Sequence, residues 1–380
     1  MKRRIGFDGR YINDRYHGIG RVAYSLLEAM LRVDDEYDFI IYIHPGYRNS
    51  RFDINSLTSY GHAQIREVRV PLLVPTEQFL WPIILARDHV DLFHSPYVVG
   101  PVFGRTPTIV TVHDLIFERF PALMPRRTLR QAYRLLAAAS IRHAAAVVTV
   151  SSATRVDLER CYPAAIGKDR VVPNGVDASF GRVTEPALLS AVAERYRLPS
   201  RFVLALGAGR PHKNLGLLIE AARVLDDDIH FVIVSTPDPR FPDDVGAALA
   251  KYRLANRVDR IPSVREDDLA AIYSLSTAFV LPSLIEGFGL PMLEGMAAGT
   301  PVLAARSSSL PEVGGEAAIY FDPLDAADLA RQLRRVLGDA GLRHELAERG
   351  RERAMAFTWD AAAGSMRNLY SDLLDARRRR

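Results

Sequence analysis

The chain has 380 residues, 48% of them hydrophobic and 25% charged, with a formal net charge of +4; this is long for one core and points to two globular domains. Its single cysteine, Cys161, excludes an internal disulfide and fits a reducing compartment. The basic excess is mild and lacks interleaved aromatics or a recognisable module, which argues against a nucleic-acid partner and for a phosphorylated ligand or an anionic membrane surface.

Residues 1–8 hold no apolar stretch long enough for a signal peptide. The longest uncharged run, Leu269–Ile285, is broken by Pro282 and falls short of the ~20 apolar residues a membrane span needs. A cytoplasmic location is expected.

Arg4–Asp8 reads as a first strand. His17–Arg21, with Gly18 and Gly20, reads as a glycine turn opening an amphipathic helix, with Val22, Leu26, Leu27, Met30 and Leu31 at helical spacing. Phe39–Ile43, Asp91–His94, Thr108–Val112 and Ala146–Val150 are apolar runs of the kind buried on both faces of a parallel sheet. The last three run into His94–Ser95–Pro96, His113–Asp114 and Ser151–Ser152, polar switches at the strand ends where parallel sheets bind ligands. The stretch Pro71–Ala86, with Trp81, is expected to be a core helix; the alternative is a partly exposed surface for an acceptor. A basic helix over Arg126–Ala144 carries Arg126, Arg127, Arg130 and Arg134, either as a solvated face or as a contact for anions, and Arg377–Arg380 forms a basic tail.

The alternation pauses near Val171–Asp177, and residues 178–200 show no clear strand. The domain boundary is placed here, dividing 1–175 from 176–357. Strands are expected again at Phe202–Leu206, His230–Val234, Arg257–Ile261, Thr277–Leu281, Pro301–Ala304 and Ala317–Phe321, with helices at Leu215–Leu225, Ala326–Leu337 and Leu342–Phe357. A last helix starts near Thr358, a plausible N-cap. The fold class is therefore α/β: two doubly wound, Rossmann-like parallel-sheet domains.

Chemistry concentrates in the second half. After the strand ending at Leu281 comes a glycine loop holding Glu286, then a helix with Pro291 in its first turn, Glu294 one turn in and Gly299 at its stop. The N–H groups of Gly287, Phe288 and Gly289 are expected to aim at an anion beyond the strand end. Two carboxylates beside an anion site suit a ligand bearing hydroxyls and phosphates together, a sugar nucleotide. Helix-dipole stabilisation of two acids would account for the charges but not for the Gly-Phe-Gly spacer. The loop Gly207–Ala208–Gly209–Arg210–Pro211–His212–Lys213–Asn214 matches neither Walker A nor Gly-x-Gly-x-x-Gly. Its glycines and cations suit a diphosphate, although a solvated basic turn also explains them. Gly18–Ile19–Gly20 would allow close backbone approach to a ligand. His113 is a candidate for hydrogen bonding to a sugar hydroxyl, with Asp114 orienting its ring or meeting the acceptor. Asp243–Asp244 and Asp267–Asp268 read as helix starts, and ten scattered histidines suggest no metal site.

Glu286 and Glu294, seven residues apart, resemble the E-x7-E motif of the family-4 retaining glycosyltransferases of GT-B fold. Gly18–Arg21, His113–Asp114, Val150–Ser152, Pro173–Asp177, Lys213–Asn214 and Ser309–Val313 are similar to that family's landmarks, in the same order, so the resemblance covers nearly the whole chain. It implies two Rossmann-like domains facing across a cleft, the C-terminal one holding the nucleotide sugar and the N-terminal one most of the acceptor, with the helix 358–380 completing the N-terminal domain. It implies a hexosyltransferase that needs no metal or other cofactor. Glu286 would contact donor-sugar hydroxyls, Glu294 the ribose, the Gly287–Leu290 backbone sugar and phosphate, and Lys213 with an arginine the diphosphate. Gly18, Gly20 and Gly209 would approach the donor, His113 the transferring sugar, and Ser263–Val264 the base. One departure stands out: relatives carry their arginine where this chain has Ala208 or His212, so Arg210 is taken as the substitute. Likeness of Lys213–Asn214 and the next helix to bacterial polysaccharide mannosyltransferases makes GDP-mannose the expected donor. A glycan or lipid-linked acceptor, reached at the inner face of the plasma membrane, is the expected second substrate. The competing readings are a GT-B nucleotide-sugar epimerase and a non-catalytic nucleotide-sugar-binding protein.

Overall fold

The apolar runs form two parallel sheets in the computed structural model, which describes residues 2–15, 17–33, 35–124 and 126–378, His17 by its backbone alone. Arg379 and Arg380 of the basic tail lie outside the described residues. The chain folds as two compact units, Met1–Gly175 with Thr358–Arg380, and Val176–Phe357.

In the first unit, β1 (Arg3–Asp8), β2 (Tyr37–Ile43), β3 (Ala63–Glu67), β4 (Leu92–Ser95), β5 (Thr108–Val112), β6 (Ala146–Thr149) and β7 (Asp169–Val171) make one sheet. Its order is β3-β2-β1-β4-β5-β6-β7, parallel throughout. The strand order reverses between β1 and β4. Both edge strands were absent from the sequence reading. Ala63–Glu67 is half-exposed and mostly polar, and Asp169–Val171 is three residues long. Inner strands such as Thr108–Val112 are buried at every position.

The helix Glu77–Arg87 divides its residues between core and solvent. Trp81 and Leu85 are buried, whereas Phe79 and Ile83 are 64% and 67% exposed. Phe79 stacks on Phe103, itself exposed. So the core helix also presents an apolar strip. The basic helix Arg127–His143 keeps Ala137 and Ile141 inside, but Leu129 and Leu135 are exposed beside its arginines.

The C-terminal helix Trp359–Arg378 joins the first unit. Thr358 Oγ1 accepts the Ala361 N–H at 3.1 Å, as an N-cap does. Met30, Tyr37, Phe39, Ala363 and Tyr370 line its seam with the helix His17–Val33 and β2. Below the seam, His94 Nδ1 meets the Tyr370 hydroxyl at 2.6 Å and Nε2 meets Thr111 Oγ1 at 2.9 Å. Burial holds the His94 imidazole neutral, lowering its pKa to about 3, and His113 adds to this. The unfolded chain therefore takes up a proton that the folded chain refuses, and stability falls as pH drops below about 6.5. By pH 5 this one group costs about 2 kcal/mol. Urea denaturation should show wild type losing that much more than His94→Leu between pH 7 and pH 5; equal losses would contradict it.

The second unit has β8 (Phe202–Leu206), β9 (His230–Val234), β10 (Val258–Ile261), β11 (Ala278–Leu281), β12 (Val302–Ala305) and β13 (Ala318–Phe321). Their order is β10-β9-β8-β11-β12-β13, again all parallel. Its core strands are almost wholly inaccessible: Phe279, Val280, Leu303 and Phe231 are all fully buried. Its ends are tied by the Val176 N–H, which donates to Phe357 O at 3.0 Å. Residues 178–200 hold no strand, as expected, but they do hold a helix, Pro186–Tyr196.

Candidate active site

In the second unit the strand order reverses between β8 and β11, which pair in parallel along Val203–Ala278, Leu204–Phe279 and Ala205–Val280. The carboxyl ends of strands at such a switch point open a crevice where doubly wound folds bind ligands. Both loops singled out in the sequence leave the sheet there.

The loop after β8 is held on both sides. The Gly209 N–H donates to Thr236 O at 3.0 Å. A Cβ on Gly209 would lie 2.9 Å from Pro237 Cα, so this glycine is required by packing inside its own unit. Arg210 Nε reaches Asp238 Oδ2 at 3.3 Å. Arg240 also binds Asp238, and that hydrogen bond holds the carboxyl well below its usual range. The Arg210 guanidinium is thus tied to Asp238. A one-turn helix, Pro211–Lys213, follows, and its His212 carbonyl accepts the Leu284 N–H at 2.8 Å. Asn214 sits in the left-handed region at φ 55°, which asparagine tolerates better than most residues. Its amide donates to Pro282 O at 3.1 Å and to Pro323 O at 2.8 Å. One side chain therefore ties the loops that follow β8, β11 and β13.

These ties bring Lys213 onto Glu286, with Nζ and Oε1 2.6 Å apart and side chains only 20% and 12% exposed. The Ser283 hydroxyl donates to the same carboxylate oxygen at 2.7 Å. Burial alone would raise the Glu286 pKa, but Lys213 and Ser283 outweigh it and hold the carboxyl below its ordinary value. His212, behind the pair, is kept neutral: burial and Lys213 lower its pKa to about 4.

Gly289 ends the glycine loop at φ 94°, and a Cβ there would meet Leu310 Cδ2 at 2.6 Å. It starts the helix Leu290–Ala297, whose Pro291 occupies the first turn. The first helical hydrogen bond, from Met292 N to Gly289 O, is 3.0 Å long. Phe288 turns its ring inward against Phe357, 5.6 Å between centroids, and offers the loop only its backbone. Glu294 lies one turn into the helix, 4% exposed, its Oε2 accepting the Tyr273 hydroxyl at 3.2 Å. Ser263 and Val264 follow β10, where Thr236 Oγ1 donates to Pro262 O at 2.6 Å.

The first-unit candidates are placed differently. His113 Nε2 lies 2.8 Å from Pro96 O, so that nitrogen carries the proton, and burial lowers the ring's pKa. The neutral ring then has its acceptor at Nδ1. Asp114 was expected to orient that ring or to meet the acceptor. The Pro96 carbonyl holds the ring at Nε2, while Asp114 Oδ1 accepts the Ile116 N–H at 3.1 Å at the start of the short helix Ile116–Arg119. Gly18 and Gly20 fall within the first turn of the helix His17–Val33, not in a turn before it. A Cβ on Gly20 would sit 2.9 Å from Tyr11 O, while one on Gly18 would meet nothing within 4 Å.

Two matches cover these units. Residues 16–180 match the model of Glycosyltransferase Family 4, and residues 193–353 that of the Glycosyl transferases group 1. A D-inositol 3-phosphate glycosyltransferase of Streptomyces bingchenggensis is 31% identical over 77% of this chain and 68% of its own length. This chain is a family-4 glycosyltransferase. The O-antigen chain mannosyltransferase B of Escherichia coli is 29% identical to it over 80% of this chain and 81% of that protein. The sucrose-phosphate synthase of Thermosynechococcus elongatus shares its fold, with a TM-score of 0.78 at 20% identity over 99% of this chain and 100% of that one. The fold of this glycosyltransferase is accordingly GT-B, with Rossmann-like units of seven and six parallel strands.

Two polar networks were not among the site candidates drawn from the sequence. At the β1–β4 reversal, Arg10 forms a buried fork with Asp8, both contacts 2.7 Å, and reaches Glu77 at 3.1 Å. Burial raises the Glu77 pKa to about 7 despite Arg10. The Asp-x-Arg spacing at a strand end was its available signal. The second network is Ser307, Ser308 and Ser309, which bond to the Glu286 loop; of these, the sequence had marked only Ser309, at the start of the landmark Ser309–Val313. Among the described residues, no three His, Cys, Asp or Glu side chains form a metal-ligand group.

Proposed function

We propose that this glycosyltransferase moves mannose from GDP-mannose, with retention of anomeric configuration and without a metal, to a glycan or lipid-linked acceptor in cell-surface polysaccharide or glycolipid synthesis. The Lys213–Glu286 pair at the β8–β11 switch point carries this reading. It sets a fixed cation and an ionised carboxylate beside the start of a helix, where phosphates and sugar hydroxyls would each find a partner. The mannosyl donor is supported by the E. coli O-antigen chain mannosyltransferase as a relative.

In the reaction the sugar–phosphate bond weakens first, and charge builds on the departing nucleoside diphosphate. Lys213 and the backbone N–H groups at the Gly289 helix start are preorganised to stabilise that charge. Arg210 takes part by leaving Asp238 or by acting at longer range. Glu286, kept ionised, accepts hydroxyls of the mannose and stabilises the positive charge developing on its ring. Glu294 accepts the ribose hydroxyls, and Ser263–Val264 border the base. The acceptor attacks from the face the leaving group departs. The first unit holds that acceptor, with His113 Nδ1 accepting a sugar hydroxyl. The exposed Leu129 and Leu135 beside the arginines of helix Arg127–His143 support contact with an anionic membrane at its cytoplasmic face. No observation favours an epimerase or a non-catalytic binder.

A thermal-shift panel of GDP, UDP and dTDP tests the donor. Ligand at 100 times its Kd adds about 2.7 kcal/mol to the native state. That is a rise of roughly 5–10 °C for a unit of this size, expected with GDP and abolished in Lys213→Met. A larger shift with UDP or dTDP would reassign the base, and no shift with any nucleotide would reject the reading.

A further inference from the structure

Ser308 is a non-glycine residue with φ 41°, in the left-handed region that costs an L-residue energy and persists only where surrounding bonds impose it. The bonds that impose it converge on one residue, Glu286, and its loop. Ser308 Oγ accepts the Glu286 N–H at 2.8 Å and donates to the Glu286 carbonyl at 3.0 Å. Ser309 Oγ donates to the same carbonyl at 2.9 Å. Ser307 Oγ donates to Ser283 O at 2.7 Å, and Ser283 in turn holds the Glu286 carboxylate. Three consecutive serines after β12 thus clamp the loop after the neighbouring strand β11. Among the described residues, the Ser308 hydroxyl alone bonds both the backbone N–H and the carbonyl of Glu286.

We propose that Ser308 is a positioning residue for Glu286: its left-handed backbone brings the hydroxyl onto the Glu286 peptide and so fixes where the carboxylate stands against Lys213. Two constraints set that carboxylate, Lys213 and Ser283 at its tip and Ser308 with Ser309 at its backbone. Without the Ser308 hydroxyl, the Glu286 N–H loses its acceptor and Ser309 holds the carbonyl alone. This proposal rests on the reading of Glu286 as the donor-sugar contact. Ser308 itself touches no substrate; it acts through Glu286.

The position allows stability and activity to be moved in opposite directions. In Ser308→Gly the left-handed backbone becomes easy but the hydroxyl is lost. In Ser308→Thr the hydroxyl stays while β-branching makes the backbone harder to hold. Three readouts are compared with wild type: melting temperature, hydrogen–deuterium exchange of the peptide 283–290, and GDP-mannose turnover followed as GDP release. Ser308→Gly is expected to melt at or above the wild-type temperature, exchange its Glu286 amide at least 10-fold faster, and lose about 10-fold in kcat with KM within 3-fold. Ser308→Thr is expected to melt lower yet keep slow exchange and kcat within 3-fold of wild type. The proposal is overturned if Ser308→Gly loses stability and turnover together without rescue by threonine, or if its exchange and kcat stay at wild-type values. Glu286→Gln run alongside separates the two layers. If it lowers kcat while Ser308→Gly does not, only the positioning role fails; if it has wild-type kcat, the reading of Glu286 fails and this proposal with it.

Discussion

Glu286→Gln is expected to lower kcat/KM for the nucleotide sugar about 100-fold while the second unit still folds. The substitution keeps the side chain's size and one acceptor oxygen, so Ser283 and Lys213 still have a partner at the same place. What disappears is the negative charge. A hydrogen bond to a charged group is worth about 1.5–3 kcal/mol, against about 1 for a neutral one. Charge developing on the sugar ring in the transition state also goes unanswered, and each 1.4 kcal/mol is tenfold in rate. Glutamine further leaves the Lys213 ammonium, only 20% exposed, without its counter-charge. The diphosphate then binds at least as well, so the loss should fall in kcat and not in KM. Steady-state kinetics in both substrates checks this; a loss confined to KM would make Glu286 a uniform binding contact.

Gly175→Ala is expected to destabilise the first unit by about 3 kcal/mol, a size seen when side chains are forced into packed interiors. Gly175 is the last residue before the second unit, and the returning chain lies directly against it. A Cβ there would be 2.3 Å from Trp359 N and 2.6 Å from Thr358 C. Both are backbone atoms at the start of the C-terminal helix, so no rotamer change relieves the contact. The helix must back away, drawing Trp359 and Tyr370 from their buried positions. For a unit of this size the melting temperature should fall by roughly 10 °C. Gly364→Ala, where a Cβ meets nothing within 4 Å, serves as the control. It replaces a helical glycine and is expected to stabilise by up to about 1 kcal/mol. A Gly175→Ala protein as stable as wild type would contradict the packing described.

The sheets were legible because their inner strands are buried on both faces. Phe202–Leu206 and His230–Val234 have the bounds read from the sequence, as uninterrupted apolar runs announce themselves. The edge strands were not, since Ala63–Glu67 has a solvated face and reads like a loop. Glu286, Glu294 and Lys213 were found by type and spacing, and the structure brings Lys213 and Glu286 together. What no spacing encodes is which neighbour each polar group chooses. Arg210, placed with Lys213 by sequence, is tied to Asp238, 28 residues on. The ring of His113 is set by the Pro96 carbonyl, a backbone atom that any residue would supply. Ser309 was marked only as the start of a landmark stretch, and it is the adjacency of β11 and β12 that turns Ser307, Ser308 and Ser309 towards Glu286 and its loop.

The transfer proposed for the β8–β11 switch point is metal-free and retaining, from a nucleotide sugar. Its most direct test is 13C NMR of the product formed from GDP-α-mannose labelled at C1, with a mannose-terminated oligosaccharide as acceptor and EDTA throughout. The expected result is an α-linked mannosyl product, formed in EDTA at the rate seen without it and at about a hundredth of that rate in Glu286→Gln. A β-linked product, or transfer that begins only when a divalent cation is restored, would contradict it.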